Sequence, residues 1–179
     1  MDTETIHLAN GLTITLRPFH ARDVVSILEM HQRSSMTSLF YRYLRSYHPT
    51  FEELQRLYQL DEENGTTFVA VVEFPWETVI GVATYYIIDR TPQSVTAEPA
   101  FLIEDRFQGQ GLGRALFNRL IRHALAQGID AFNFYIEPGN KRMRYVIRRS
   151  SLPFEEEIVY GTRQVRLQLE PQLDLTRHI

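Results

Sequence analysis

From Val95 to Ile136 a β-rich run, a long amphipathic stretch and a second β-rich run follow one another directly, and this order constrains the fold most. Val95 to Ile103 has the composition of a strand. Leu112 to Gln127 repeats apolar residues at helical spacing: Leu112, Leu116, Leu120 and Ala124, with Phe117 and Ile121 beside them. Gly128 then ends the helix. Ala131 to Ile136 reads as a strand again. A strand, helix and strand in that order need a parallel crossover, which a hairpin cannot provide.

The remaining signals are antiparallel. Leu12-Thr-Ile-Thr-Leu16 alternates apolar and polar residues, and Arg17-Pro18 closes that strand. A helix is expected from Asp23, as N-cap, through Val24, Ile27, Leu28 and His31. Ser34 to Tyr47, rich in Tyr, Phe, Arg and Ser, has no clean period and reads as irregular or weakly helical. Thr50-Phe-Glu-Glu53 has the capping-box pattern and predicts a short helix to about Leu60. After Asn64-Gly65, the runs Thr66 to Glu73 and Val79 to Ile88 form a hairpin about Pro75-Trp76-Glu77. Gly139-Asn140 opens a further helix toward Arg149, and Phe154 to Val159 pairs with Thr162 to Leu169 about Tyr160-Gly161. The fold class is α+β, with a mixed, mostly antiparallel sheet flanked by helices.

At 179 residues, 44% hydrophobic and 23% charged, the chain suits one globular domain, read as residues 1–170, with a loose tail from 171 to 179. A formal charge of -3 offers no general attraction to nucleic acid or anionic lipid, so neither a nucleic-acid nor a membrane partner is expected. The absence of cysteine removes disulfides, thiolate zinc sites and cysteine nucleophiles. The N-terminus lacks a signal-peptide core, and no apolar run approaches the roughly 20 residues of a membrane span. The expected location is cytoplasmic. None of the histidines has metal-ligand spacing, no serine stands in a Gly-x-Ser-x-Gly context, and no metal is expected.

Gly109, Gly111 and Gly113 stand between the Val95 to Ile103 strand and the Leu112 helix. Glycine lets backbone approach a ligand closely, and a helix start presents unpaired N–H groups at the positive end of its dipole, so this segment is an anion site. A dinucleotide fingerprint fails because its third glycine position holds Arg114. A P-loop fails because Gly113-Arg-Ala has neither lysine nor hydroxyl.

The segment Gln108-Gly109-Gln110-Gly111-Leu112-Gly113 resembles the pyrophosphate motif of the Gcn5-related N-acetyltransferase (GNAT) family, Gln/Arg-x-x-Gly-x-Gly/Ala. Leu16-Arg17-Pro18 with Asp23, Val79-Ile80-Gly81-Val82-Ala83 and the helix-opening Asn140 look like other parts of that family. A narrower similarity, to bacterial protein-lysine acetyltransferases, is carried by Tyr41-Arg42-Tyr43, Leu60-Asp61, Phe68 to Val71, Ala97-Glu98 and Asn140-x-x-Met143.

The resemblance implies acetyl-CoA as co-substrate, bound in a cleft between splayed central strands. It implies that Phe101, Leu102 and Ile103 lend backbone groups to the pantetheine arm and thioester. Gln108 to Gly113, with Arg114 and Asn140, would complete the cofactor site. Glu98 is the candidate general base, because an ammonium of pKa near ~10.4 must lose a proton before it attacks. Glu104, Asp105 and Arg106 read as solvated charge, and Arg142, Arg144, Arg148 and Arg149 as a basic helix face. Many family members carry a tyrosine seven residues after the asparagine; Ile147 stands there, Tyr145 lies on another face, and no general acid is assigned. The amine acceptor stays open among a protein lysine, an N-terminal amine and a small amine. The reading allows a homodimer, and a non-catalytic acyl-CoA sensor is the alternative class.

Overall fold

The computed structural model describes residues 3–73 and 75–169; the expected tail from 171 to 179 lies outside them. In chain order the elements are β1 (Glu4–His7), β2 (Thr13–Pro18), α1 (Asp23–Arg33), α2 (Met36–Tyr43), α3 (Phe51–Tyr58), β3 (Gly65–Val72) and β4 (Thr78–Arg90). They continue with β5 (Val95–Ile103), a 3-10 turn (Asp105–Phe107), α4 (Leu112–Ala126), β6 (Ala131–Ile136), α5 (Lys141–Arg148), β7 (Phe154–Val159) and β8 (Thr162–Gln168). The described residues form one eight-stranded sheet in the order β1-β2-β3-β4-β5-β6-β8-β7. Every neighbouring pair is antiparallel except β5 and β6, which α4 joins in parallel.

Strand alternation sends the central strands' apolar residues into two cores. Phe68, Ala70, Ile80 and Ala97 pack against Leu112, Leu116, Leu120 and Ala124 of α4 on one face. Val69, Val71, Val82 and Leu102 pack against Val24, Ile27 and Met30 of α1, Leu39 of α2 and Leu54 of α3 on the other. Burial on both faces explains why β3 and β4 are apolar along nearly their whole length.

Two expectations need correction, and one strand was not expected. Ser34 to Tyr47 contains a regular helix, α2, capped by Ser35, whose side chain accepts from the Ser38 amide at 3.2 Å. Its weak period reflects a helix with one narrow buried line, Ser38 and Leu39, and exposed Met36 and Phe40. Asp23 is the first residue of α1 and Arg22 its N-cap. The Asp23 carboxylate is instead held bidentately by Arg17, with both bonds 2.8 Å. Finally, Glu4–His7 pairs with β2 as an edge strand too short to signal itself in sequence.

Candidate active site

The parallel ladder between β5 and β6 has two registered pairs, Thr96 with Ala131 and Ala97 with Phe132, and then stops. The sequence supplies the reason. Asp130 N donates to Val95 O at 2.9 Å, so the backbone of Val95 points toward β6, and alternation sends that of Ala97, Pro99, Phe101 and Ile103 the same way. Pro99 has no N–H to continue the ladder. Beyond it the strands part, and β5 turns the N–H and C=O of Phe101 and the N–H of Ile103 into the cleft without ladder partners. Leu102 points its backbone the opposite way, toward its β4 partner Val82, so it cannot lend those groups to a ligand in the cleft.

Below the splayed strands lies a groove of about 610 Å³. Phe101, Leu102, Ile103, Gln108, Gly109, Gln110, Gly111, Gly113, Arg114 and Asn140 all line it. Leu112 does not: its side chain is fully buried in the core on α4. Gly109 and Gly111 have φ of +75° and +97°, conformations in which a side chain is strained, and Gly111 is the N-cap of α4. Ala115 N donates to Gly111 O at 3.1 Å as the helix begins, leaving the amides before it without helical acceptors. Such amides with a positive dipole end suit a pyrophosphate.

Gln108 is committed to holding this loop in place. Its Nε2 donates to Ile103 O at 2.7 Å and to Ser38 Oγ at 3.0 Å, and its Oε1 accepts from Arg142. Loop, β5, α2 and α5 are thereby tied together. Asn140 accepts from the Met143 amide at 3.1 Å and so caps α5.

Of the turn after β5, read as solvated charge, Asp105 and Arg106 are exposed but Glu104 is buried, and both carboxylates are structurally tied. Glu104 is 3% exposed and pairs with Arg33 at 3.0 Å and with Arg106. Asp105 accepts from Ser35 N, Ser35 Oγ and Ser38 Oγ at 2.7 to 2.9 Å. Burial opposes the Asp105 charge, but these donors outweigh it and hold the carboxyl below its ordinary range. The expected basic face of α5 is partly neutralised as well, since Glu156 lies within 3.8 Å of Arg144 and 3.4 Å of Arg148.

A second cavity, about 350 Å³, adjoins the groove and shares Tyr41, Phe101, Asn140 and Met143 with it. Glu98 lines this second cavity, opposite Tyr86 in the ladder and half-buried. Burial raises the pKa of its carboxyl, and the Arg42 guanidinium works against that rise. Tyr41, Arg42, Tyr43, Leu44 and Arg45, from α2 and its C-terminal end, form the facing wall. Sequence reasoning singled out Tyr41-Arg42-Tyr43 here through the family resemblance, but not the helix that carries them, because α2 has no clear period.

On α5, Ile147 is buried, while Tyr145 lines the groove but not the second cavity. Among the described residues no group of three or more His, Asp or Glu side chains could hold a metal ion. No helix among them is long and apolar enough to cross a membrane.

Comparison with known proteins matches this architecture. Acetyltransferase Pat of Mycolicibacterium smegmatis is 28% identical over 144 residues, which are 80% of this chain but 42% of that protein. The chain thus spans less than half the length of this curated relative. The GNAT domain of S. lividans PAT superposes with a TM-score of 0.83 at 22% identity, covering 93% of this chain and 96% of that one. The structure of yncA from Salmonella typhimurium, which includes its cofactor acetyl-CoA, superposes with a TM-score of 0.69 at 19% identity, covering 92% and 96%. At these identities the superpositions speak for the fold alone. The profile of the Acetyltransferase (GNAT) family, however, matches residues 32–150, from the end of α1 through α5. The chain belongs to the acetyltransferase (GNAT) family, whose acyl donor is acetyl-CoA.

Proposed function

We propose that this chain transfers an acetyl group from acetyl-CoA to a primary amine, the side chain of a protein lysine, with Glu98 as general base. The observation that carries the reading is the junction of the two cavities at Tyr41, Phe101, Asn140 and Met143. One side offers free backbone amides suited to a pyrophosphate and a pantetheine arm; the other offers a half-buried carboxylate. Residues 1–170 act as a single acetyltransferase domain, in keeping with one sheet that carries a core on each face.

In this reading the Phe101 N–H, facing the cleft without a ladder partner, polarises the thioester carbonyl. Glu98 takes the ammonium proton and passes it to solvent. The neutral nitrogen then forms the C–N bond as the C–S bond breaks, and the second proton it sheds on becoming an amide passes through water to the departing thiolate. Holding both reactants at one junction converts an encounter in solution into a near-unimolecular step.

A lysine of a protein is favoured by the shape of the acceptor side. The acceptor cavity shares Phe134 and Tyr135 with a third cavity of about 400 Å³, walled by Glu155 and Glu157, so an extended chain can lie along it. The relative named Acetyltransferase Pat agrees with acetyl transfer. The alternative, an acyl-CoA sensor without turnover, draws on Ile147, which leaves the acceptor cavity without a tyrosine from α5.

An acceptor panel separates these readings. Thiol release from acetyl-CoA is followed against proteins, lysine peptides, peptides with only an N-terminal amine, and small amines, and products are located by mass spectrometry. The expected result is acetyl on lysine side chains, with small amines slower. Thiol release confined to small amines would overturn the lysine assignment, and CoA binding without release on any acceptor would establish the sensor.

A further inference from the structure

Arg42 lines the same cavity as Glu98, and Arg45 is the only other arginine among the described residues that does. The Nε and Nη2 of Arg42 are closed off from solvent and have no hydrogen-bond acceptor. No carboxylate among the described residues lies within ion-pair distance of it. The guanidinium is instead packed among tyrosines, 4.9 Å from the ring centre of Tyr43 and 5.9 Å from that of Tyr58. Both rings are anchored. The Tyr43 hydroxyl donates to His31 Nε2 at 2.7 Å, because His31 Nδ1 donates to Ile27 O at 2.8 Å. Tyr58 closes α3 and is 1% exposed, with its hydroxyl also lacking a partner.

A buried cation without a counter-ion is costly, and aromatic faces offset only part of that cost. Structural packing alone would be served better by an apolar side chain of similar volume. Glu98 is the one carboxylate lining the cavity that Arg42 lines. The other ionisable groups around that cavity are Tyr41, Tyr43 and Arg45 from α2 and its end, and Tyr135 from β6. Tyr58 of α3 and Tyr86 of β4 complete the surroundings of the guanidinium.

We infer that Arg42 is a positioning residue for acetyl transfer, the fixed counter-charge that holds Glu98 in its proton-accepting form when an acceptor fills the cavity and excludes water. The inference rests on Glu98 being the base. An incoming amine strips solvent from Glu98, which by itself favours the protonated, inactive carboxyl. The buried guanidinium opposes this without leaving the site or competing for the amine. The same positive charge disfavours an ammonium beside it, so it also eases the acceptor toward its neutral, nucleophilic form.

Two measurements on each variant keep this inference separate from the reading beneath it. Carboxyl carbon NMR of protein labelled in glutamate follows the titration of Glu98, assigned by the resonance missing in Glu98→Gln. The pH profile of kcat/KM on a lysine peptide follows the catalytic base. With Arg42→Met, the Glu98 titration and the acid limb of the profile should both move up by about one unit, a tenfold loss on that limb. Arg42→Lys, which keeps the charge, should stay near wild type in both. If Arg42→Met does not fold, Arg42→Gln serves as the neutral variant. A Glu98 titration unmoved in a folded neutral variant overturns the inference. A titration that moves while the acid limb persists in Glu98→Gln overturns the base, and with it the catalytic role of Arg42.

Discussion

Arg17 and Asp23 meet 8% and 3% exposed, where β2 hands over to α1, and Glu77 closes on the same guanidinium. Burial alone would raise the Asp23 carboxyl, but Arg17 and the His20 amide hold it below its ordinary range. His31 follows different logic. Burial pushes it down to about 4, and with Nδ1 donating to Ile27 and Nε2 accepting from Tyr43 it folds neutral. Between the ordinary value near 6.5 and about 4, the unfolded chain binds a proton that the folded chain refuses. Stability from this group is therefore complete above the unfolded pKa and falls as pH drops through that window. Urea unfolding should give a stability about 2 kcal/mol lower at pH 5 than at pH 7 on account of His31. In His31→Gln that part of the slope should vanish; an unchanged slope would mean that His31 is protonated in the folded state.

Among the elements, the passage from β5 to α4 does most for the site, and its glycines divide by role. Gly111 needs its positive φ, so Gly111→Ala should cost roughly 1–2 kcal/mol of stability whatever it does to binding. Gly113 lies in the first turn of α4, where an added Cβ would come no closer than 3.4 Å to Ile103 Cδ1. Gly113→Ala should melt at or above wild type, helped by helix propensity, and keep CoA affinity within a few-fold, because the family motif admits alanine at this position and the added methyl makes only ordinary contacts. Calorimetry and melting on the two variants check this, and a Gly111→Ala protein as stable as wild type, or a folded Gly113→Ala protein that no longer binds CoA, would contradict it. The glycine segment, both hairpins, the Thr50 capping box and the β5-α4-β6 crossover were legible because their signals are local in sequence. Helix α2 was not. It is held by Asp105 and Gln108, about seventy residues away, and its exposed Met36 and Phe40 blur the apolar stripe.

At the scale of the whole molecule, the donor half of the site comes from one continuous stretch, residues 101 to 114, with Asn140 added from α5. That is why a local motif could point to these residues, although in the fold Leu112 turns inward and Leu102 aims its backbone at β4. The acceptor half is assembled from α2, β5 and β6, so of its residues only Glu98 was picked out as catalytic, and only through the family resemblance. Likewise Glu104 looked solvated until the fold brought Arg33 to it. The central claim is that Glu98, which lines the acceptor cavity, accepts the proton of the acceptor amine. Steady-state kinetics of Glu98→Gln with acetyl-CoA and a lysine peptide, across pH, test it most directly. The account predicts a kcat lower by roughly 10²–10⁴-fold near neutral pH, with unchanged CoA affinity and a defect that shrinks as pH rises and more of the amine is already neutral. A Glu98→Gln enzyme as fast as wild type at every pH would contradict it.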